Sequence, residues 1–85
     1  MVKGYVMTTS NKRIIAYHIS RLQDKNRDVR LKSIAELALL VDEEALSALR
    51  TLVEKDPDTE VRKAAQEAGR AIFIKLREQS ASSKG

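Results

Sequence analysis

"RDVRLKSIAELALLV", residues 27–41, is restated thirty-two residues later as "TEVRKAAQEAGRAIF", residues 59–73. Each segment sets Val-Arg directly after an acidic residue and then runs into an apolar-rich stretch. In the first, Ile34, Leu37, Ala38 and Val41 recur at helical spacing. Leu31, Ala35, Leu39 and Leu40 fill much of the remaining circumference. A helix apolar nearly all round is buried on more than one side, so this one is expected to be the central element. In the second, Val61, Ala65, Ala68, Ile72 and Leu76 share a face.

Working outward, two further helices complete the pattern. "SNKRIIAYHISRLQ", residues 10–23, places Ile15, Ile19 and Leu22 on one face, with Ser10 or Asn11 as the expected N-cap. "EEALSALRTLVEK", residues 43–55, places Leu46, Leu49 and Val53 on one stripe, with Asp42 as the expected cap. Glu43 and Glu44 in its first turn suit the positive end of the helix dipole. Asp28 is expected to cap the second helix, and Asp58 or Thr59 the fourth. Pro57 ends the third helix, because it lacks an N–H and biases Asp56 away from the α region. Gly69 lies in mid-helix, where glycine costs about 1 kcal/mol against alanine. Close approach of a neighbouring backbone is the expected reason for it.

The two halves therefore align as helix pairs. Ile19 and Leu22 match Leu49 and Leu52 at an offset of 30, and Val29-Arg30 matches Val61-Arg62 at 32. A two-helix unit at this period signals a helical solenoid. The competing architecture, an up-down four-helix bundle, needs no repeated turn chemistry. The expected fold is all-α: two helical hairpins, four helices, forming a short α-solenoid. Residues 10–78 form that domain. Residues 1–9 read as an N-terminal arm, extended or disordered, and the polar residues 79–85 as a disordered tail.

The pattern Asp-x-x-Val-Arg-x-Ala-Ala resembles that of HEAT repeats, and is most similar to the short repeats of phycobilin-lyase type. "DPDTEVRKAAQEAG", residues 56–69, carries it best. "DKNRDVRLKSIAEL", residues 24–37, departs from it at Lys32-Ser33. The resemblance spans roughly residues 13–76. It implies that a turn aspartate packs near the arginine of the next helix, often in a neighbouring repeat. Asp24 or Asp28 would serve Arg30 in this way, and Asp56 or Asp58 would serve Arg62. For function it implies little, since such repeats serve scaffolds, lyase subunits and nucleic-acid enzymes alike.

Composition narrows the classes. The chain has 85 residues, no cysteine, one histidine and a net charge of +4. One small domain is the limit, and neither disulfides nor thiolate metal sites are available. The longest apolar run, Leu37 to Val41, falls far short of the ~20 residues that span a bilayer. No secretory leader is visible at the N-terminus, so the expected address is cytoplasmic, with no membrane partner. Few aromatics and no tryptophan speak against base-stacking modules. The charge is uneven: +6 over residues 1–32, −4 over 33–56 and +2 beyond.

No residue set points to catalysis. His18 lies beside the apolar stripe of the first helix without a nucleophile or orienting group within its motif. Asp42, Glu43 and Glu44 are explained as a helix N-terminus. Gly4, Gly69 and Gly85 are isolated and form no phosphate loop. The reading is therefore a protein without enzyme activity and without a cofactor or metal.

Binding residues are more legible. Lys63, Glu67, Arg70, Ile74 and Arg77 share one side of the fourth helix, and with Arg62 and Phe73 they are the expected partner-binding set. Binding of another protein is expected along the ridge of the second and fourth helices. "RAIFIKL", residues 70–76, does not read as a polar cap. Solenoids of few units need covered ends, so a second copy, as a closed homodimer through the end of the fourth helix, is the simplest cover. The alternative function is a nucleic-acid-binding accessory protein using Lys12, Arg13, Arg21, Lys25, Arg27 and Lys32. A chromophore-lyase-type subunit is a second alternative, carried by the resemblance alone.

Overall fold

The computed structural model describes the backbone of residues 3–84 and the side chains of residues 12–80. Four helices follow one another: α1 (Lys3–Arg21), α2 (Arg27–Leu40), α3 (Glu43–Lys55) and α4 (Thr59–Lys84). α2 lies against both α1 and α4, α3 packs along α4, and α1 touches α3 only lightly. The result is two helical hairpins stacked side by side in a slab of 43 × 27 × 15 Å. This is the expected short all-α solenoid.

Both terminal helices exceed their amphipathic cores. α1 takes in residues 3–9, read from sequence as an arm, and α4 runs on to Lys84 through most of the expected tail. Residues 1, 2 and 85 lie outside the described residues. Ser10 and Asn11 therefore lie inside α1 and not at its start. The backbone ladder is satisfied within a helix whatever its side chains, so polar flanking residues can extend it where no proline intervenes.

Asx turns set the starts of the inner helices. The Asn26 side chain accepts the Asp28 N–H at 2.8 Å, so Asn26, not Asp28, caps α2. Asp42 caps α3 as expected, accepting the Glu44 N–H at 2.8 Å. Asp58 accepts the Val61 N–H at 3.1 Å at the head of α4. Val41 closes α2 in the left-handed region, φ 51°. A β-branched residue there costs roughly 1–2 kcal/mol, and it gives the sharp two-residue link into α3.

The core is formed by Ile15 and Leu22, Ile34 and Leu37, Ala45, Leu49 and Leu52, and Val61, Ala65, Ala68 and Ile72. Leu39, expected to help fill it, is instead 78 % exposed. Ala35 is exposed too. α2 is central, but it has neighbours on two sides only, and both residues point away from them.

Candidate functional site

The duplicated turns hold the two hairpins in register. In each, an aspartate accepts the N–H two residues on: Asp24 from Asn26 at 2.9 Å, and Asp56 from Asp58 at 2.9 Å. In each, the repeated arginine reaches back to that aspartate's carbonyl: Arg30 to Asp24 at 2.8 Å, and Arg62 to Asp56 at 2.7 Å. The carboxylates behave differently. Asp56 is buried and meets Arg30 of the preceding hairpin, with Nε 2.9 Å from Oδ2 and Nη2 3.3 Å from Oδ1. The Nε contact is a charge contact, not an aligned hydrogen bond. Among the described residues Arg62 has no such carboxylate, and it turns its Nη2 to the Thr59 hydroxyl at 3.2 Å. Arg30 and Arg62 thus share a backbone role, and only Arg30 also clamps the two hairpins together. Asp28 takes no part with Arg30. It lies 3.5 Å from Arg27 instead.

A second cross-link runs beside the first. Arg27 donates to Asp58 at 2.8 Å and also engages Glu60. The Arg27 hydrogen bond, then that of the Val61 N–H, holds the Asp58 carboxyl below its ordinary value of 3.8. The same pairing raises the Arg27 guanidinium, so it stays charged. A depressed carboxyl stabilises the fold above its unfolded-state value and loses that contribution as pH falls through the folded one. Wild type should therefore exceed Asp58→Asn in stability at pH 7, and the gap should close below about pH 4. Urea titrations of both proteins from pH 2 to 7 measure it. The pair is only half-buried, so the gap should also narrow with salt.

At the far side of the second hairpin a groove of about 260 Å³ opens between α3 and α4. Leu46, Leu49 and Val53 form its α3 wall, with Arg50 at the edge. Gln66, Gly69, Arg70 and Phe73 supply α4, above Ala65. Phe73 is 52 % exposed, and the Arg77 guanidinium stacks over its ring at 5.8 Å from the centroid. A Cβ built on Gly69 would meet nothing within 4 Å. The expected close backbone neighbour is thus absent among the described residues, and the glycine faces open space. Gly69→Ala should then stabilise the fold by up to about 1 kcal/mol, read as a rise in the thermal midpoint.

The expected partner-binding set divides here. Arg70 and Phe73 line the groove, Arg77 covers Phe73, and Arg62 lies at the start of the same stripe. Lys63, Glu67 and Ile74 are exposed on the adjoining ridge of α4. Ile74 is displaced from Phe73 by about 100° around the helix. Leu46, Leu49, Arg50, Val53 and Gln66 were not picked out as site residues. A signal was present for Gln66 and for Gly69, which also lines the groove: they stand thirty-two residues after Ile34 and Leu37, where the repeat asks for large apolar side chains.

The opposite end of the slab bears a second groove, of about 250 Å³. Tyr17, His18 and Arg21 of α1 face Val29, Lys32, Ser33 and Glu36 of α2 across it. Tyr17 packs edge-on to His18 at 5.2 Å and lies under Arg21. Of the basic residues considered for nucleic acid, several are already engaged. Lys12 reaches Asp42 at 3.3 Å, Arg21 lies 3.9 Å from Asp24, and Arg27 holds Asp58 and Glu60. Arg13, Lys25 and Lys32 make no ion pair among the described residues.

Among the described residues, no helix is long and apolar enough to cross a membrane. No group of three or more histidine or acidic side chains among them is placed to hold a metal ion. No curated protein and no solved structure matches the chain. The family of HEAT repeats does match, over residues 6–70. That span takes in Val29-Arg30, Val61-Arg62 and the turns at Asp24 and Asp56, and the chain belongs to the HEAT-repeat family.

Proposed function

We propose that this chain is a non-catalytic protein–protein interaction module, and that its contact surface is the α3/α4 groove with the adjoining ridge of α4. One observation carries the reading: Phe73, 52 % exposed, stands on the rim of an open apolar groove and not in the core. Exposed apolar surface next to polar rims is where proteins meet. HEAT repeats generally serve such contacts, and the arginines at the rim are residues enriched at interfaces.

Less supports self-pairing. Phe73 and Ile74 are both partly exposed, but Arg50 and Arg70 beside Phe73 would meet their counterparts in a two-fold pair. The basic residues of the first hairpin support nucleic-acid binding weakly, since the carboxylates named above neutralise half of them. The lyase reading finds no support in either groove.

The test is affinity capture from native extract with wild type and with Phe73→Asp. A partner retained by wild type and lost with the variant supports the reading, provided circular dichroism shows equal helicity. Identical captures by both proteins would remove the groove from the function.

A further inference from the structure

We propose that the α3/α4 groove receives an amphipathic α-helix from another protein, seated by a stripe of small and β-branched residues and carrying carboxylates along its flanks. This deepens the interaction reading above and rests on it.

The molecule contains its own template for the complex. On α2, Arg30, Ile34, Leu37 and Val41 form one stripe at i, i+4, i+7 and i+11. Ile34 and Leu37 on it are buried, and its arginine holds Asp56 of the next hairpin. The helix that packs there is α4, whose inward stripe is Val61, Ala65, Ala68 and Ile72, each small or β-branched. Thirty-two residues on, the same stripe of α4 reads Arg62, Gln66, Gly69 and Phe73. Three of these line the groove or its rim, and among the described residues no helix covers them. The surface that takes a helix once in this molecule is therefore presented again at its end.

Two details adapt the second copy of that surface. Gly69 replaces Leu37 and leaves open space above its Cα. A branched side chain of an incoming helix can enter there, and its backbone can come close. The charge also changes. Arg50 and Arg70 line the groove, no carboxylate does, and Arg62 lacks the carboxylate that Arg30 holds. An occupant with acidic flanks fits this rim.

The same charges argue against a second copy. Back-to-back pairing would set Arg50 and Arg70 against their counterparts. Head-to-tail pairing would bring up Arg21 and Lys32, which line the opposite groove with a single carboxylate, Glu36. The apolar α3 wall of Leu46, Leu49 and Val53 suits a helix and not a polyanion.

The probe is a synthetic peptide of residues 56–76 of this chain with Lys63, Arg70 and Lys75 changed to Glu, fluorescently labelled. The unaltered 56–76 peptide, with equal numbers of acidic and basic side chains, is its control. In fluorescence anisotropy the acidic peptide should bind about tenfold more tightly than the control, and less tightly as salt rises. Arg50→Ser with Arg70→Ser should erase most of that tenfold preference. Gly69→Leu, which fills open space without touching the core, should abolish binding of both peptides while the fold persists by circular dichroism. Equal binding of both peptides would overturn the acidic character of the partner. Binding that survives Gly69→Leu would overturn the site, as would sedimentation showing self-association that Gly69→Leu disrupts. Failure of the acidic peptide overturns the inference. The interaction reading falls separately, on the Phe73→Asp capture.

Discussion

Asp56→Ala is expected to lower unfolding stability by about 3–4 kcal/mol, whereas Asp24→Ala, the same position of the preceding turn, should cost less than about 1 kcal/mol. The two aspartates do the same local work, each accepting the N–H two residues on. Their surroundings decide the difference. The Asp56 side chain is 4 % exposed and that of its partner Arg30 is 12 % exposed. Removing the carboxylate strands a guanidinium between the hairpins, and an uncompensated buried charge is among the most destabilising single changes. The Asp24 side chain is 30 % exposed and its nearest cation, Arg21, is 3.9 Å away. Such a pair is screened and contributes little. A chain of this length has only about 4–13 kcal/mol to lose, so Asp56→Ala removes a large fraction. Urea unfolding followed by circular dichroism measures both variants. Asp56→Asn separates the terms, since it keeps the turn and loses the charge. If Asp56→Ala unfolds within 0.5 kcal/mol of wild type, on the order of an ordinary surface substitution, the clamp between hairpins does not hold the fold.

Leu37→Ala should cost about 3 kcal/mol, within the usual range for a buried leucine, while Leu39→Ala should change stability by less than about 0.5 kcal/mol. The two leucines lie two residues apart on one helix. Leu37 is fully buried and Leu39 is 78 % exposed. Truncating Leu37 removes its transfer energy and leaves a cavity that the neighbouring core cannot fill without moving backbone. Truncating Leu39 exchanges one solvated side chain for another. Paired denaturation curves at constant m-value test this. Equal losses at the two positions would mean that α2 buries a different face.

These pairs show where sequence stops being sufficient. Both Val-Arg segments announce their turns, and each arginine meets an aspartate of its own turn, through the backbone carbonyl and not the carboxylate. Asn26 and Asp28 are both good caps by residue type, and only the path of the chain selects Asn26 for α2. The groove was half legible. Arg70 and Phe73 stood out on the fourth helix, but the α3 wall of Leu46, Leu49 and Val53 looked like ordinary core. It faces outward in part because no further hairpin follows it among the described residues.

The four helices, the two-hairpin repeat and the places of the turns were determined by the sequence alone, though not the outer ends of α1 and α4 or the cap of α2, because periodicity depends on residues within a few positions of each other. Only the tertiary structure decided which of two equivalent residues is a clamp and which is a free rim, and which leucine is core. Burial and charge pairing are properties of neighbours distant in the chain. Arg30 has Asp56 beside it and Arg62 has no matching carboxylate, although the two segments read almost alike.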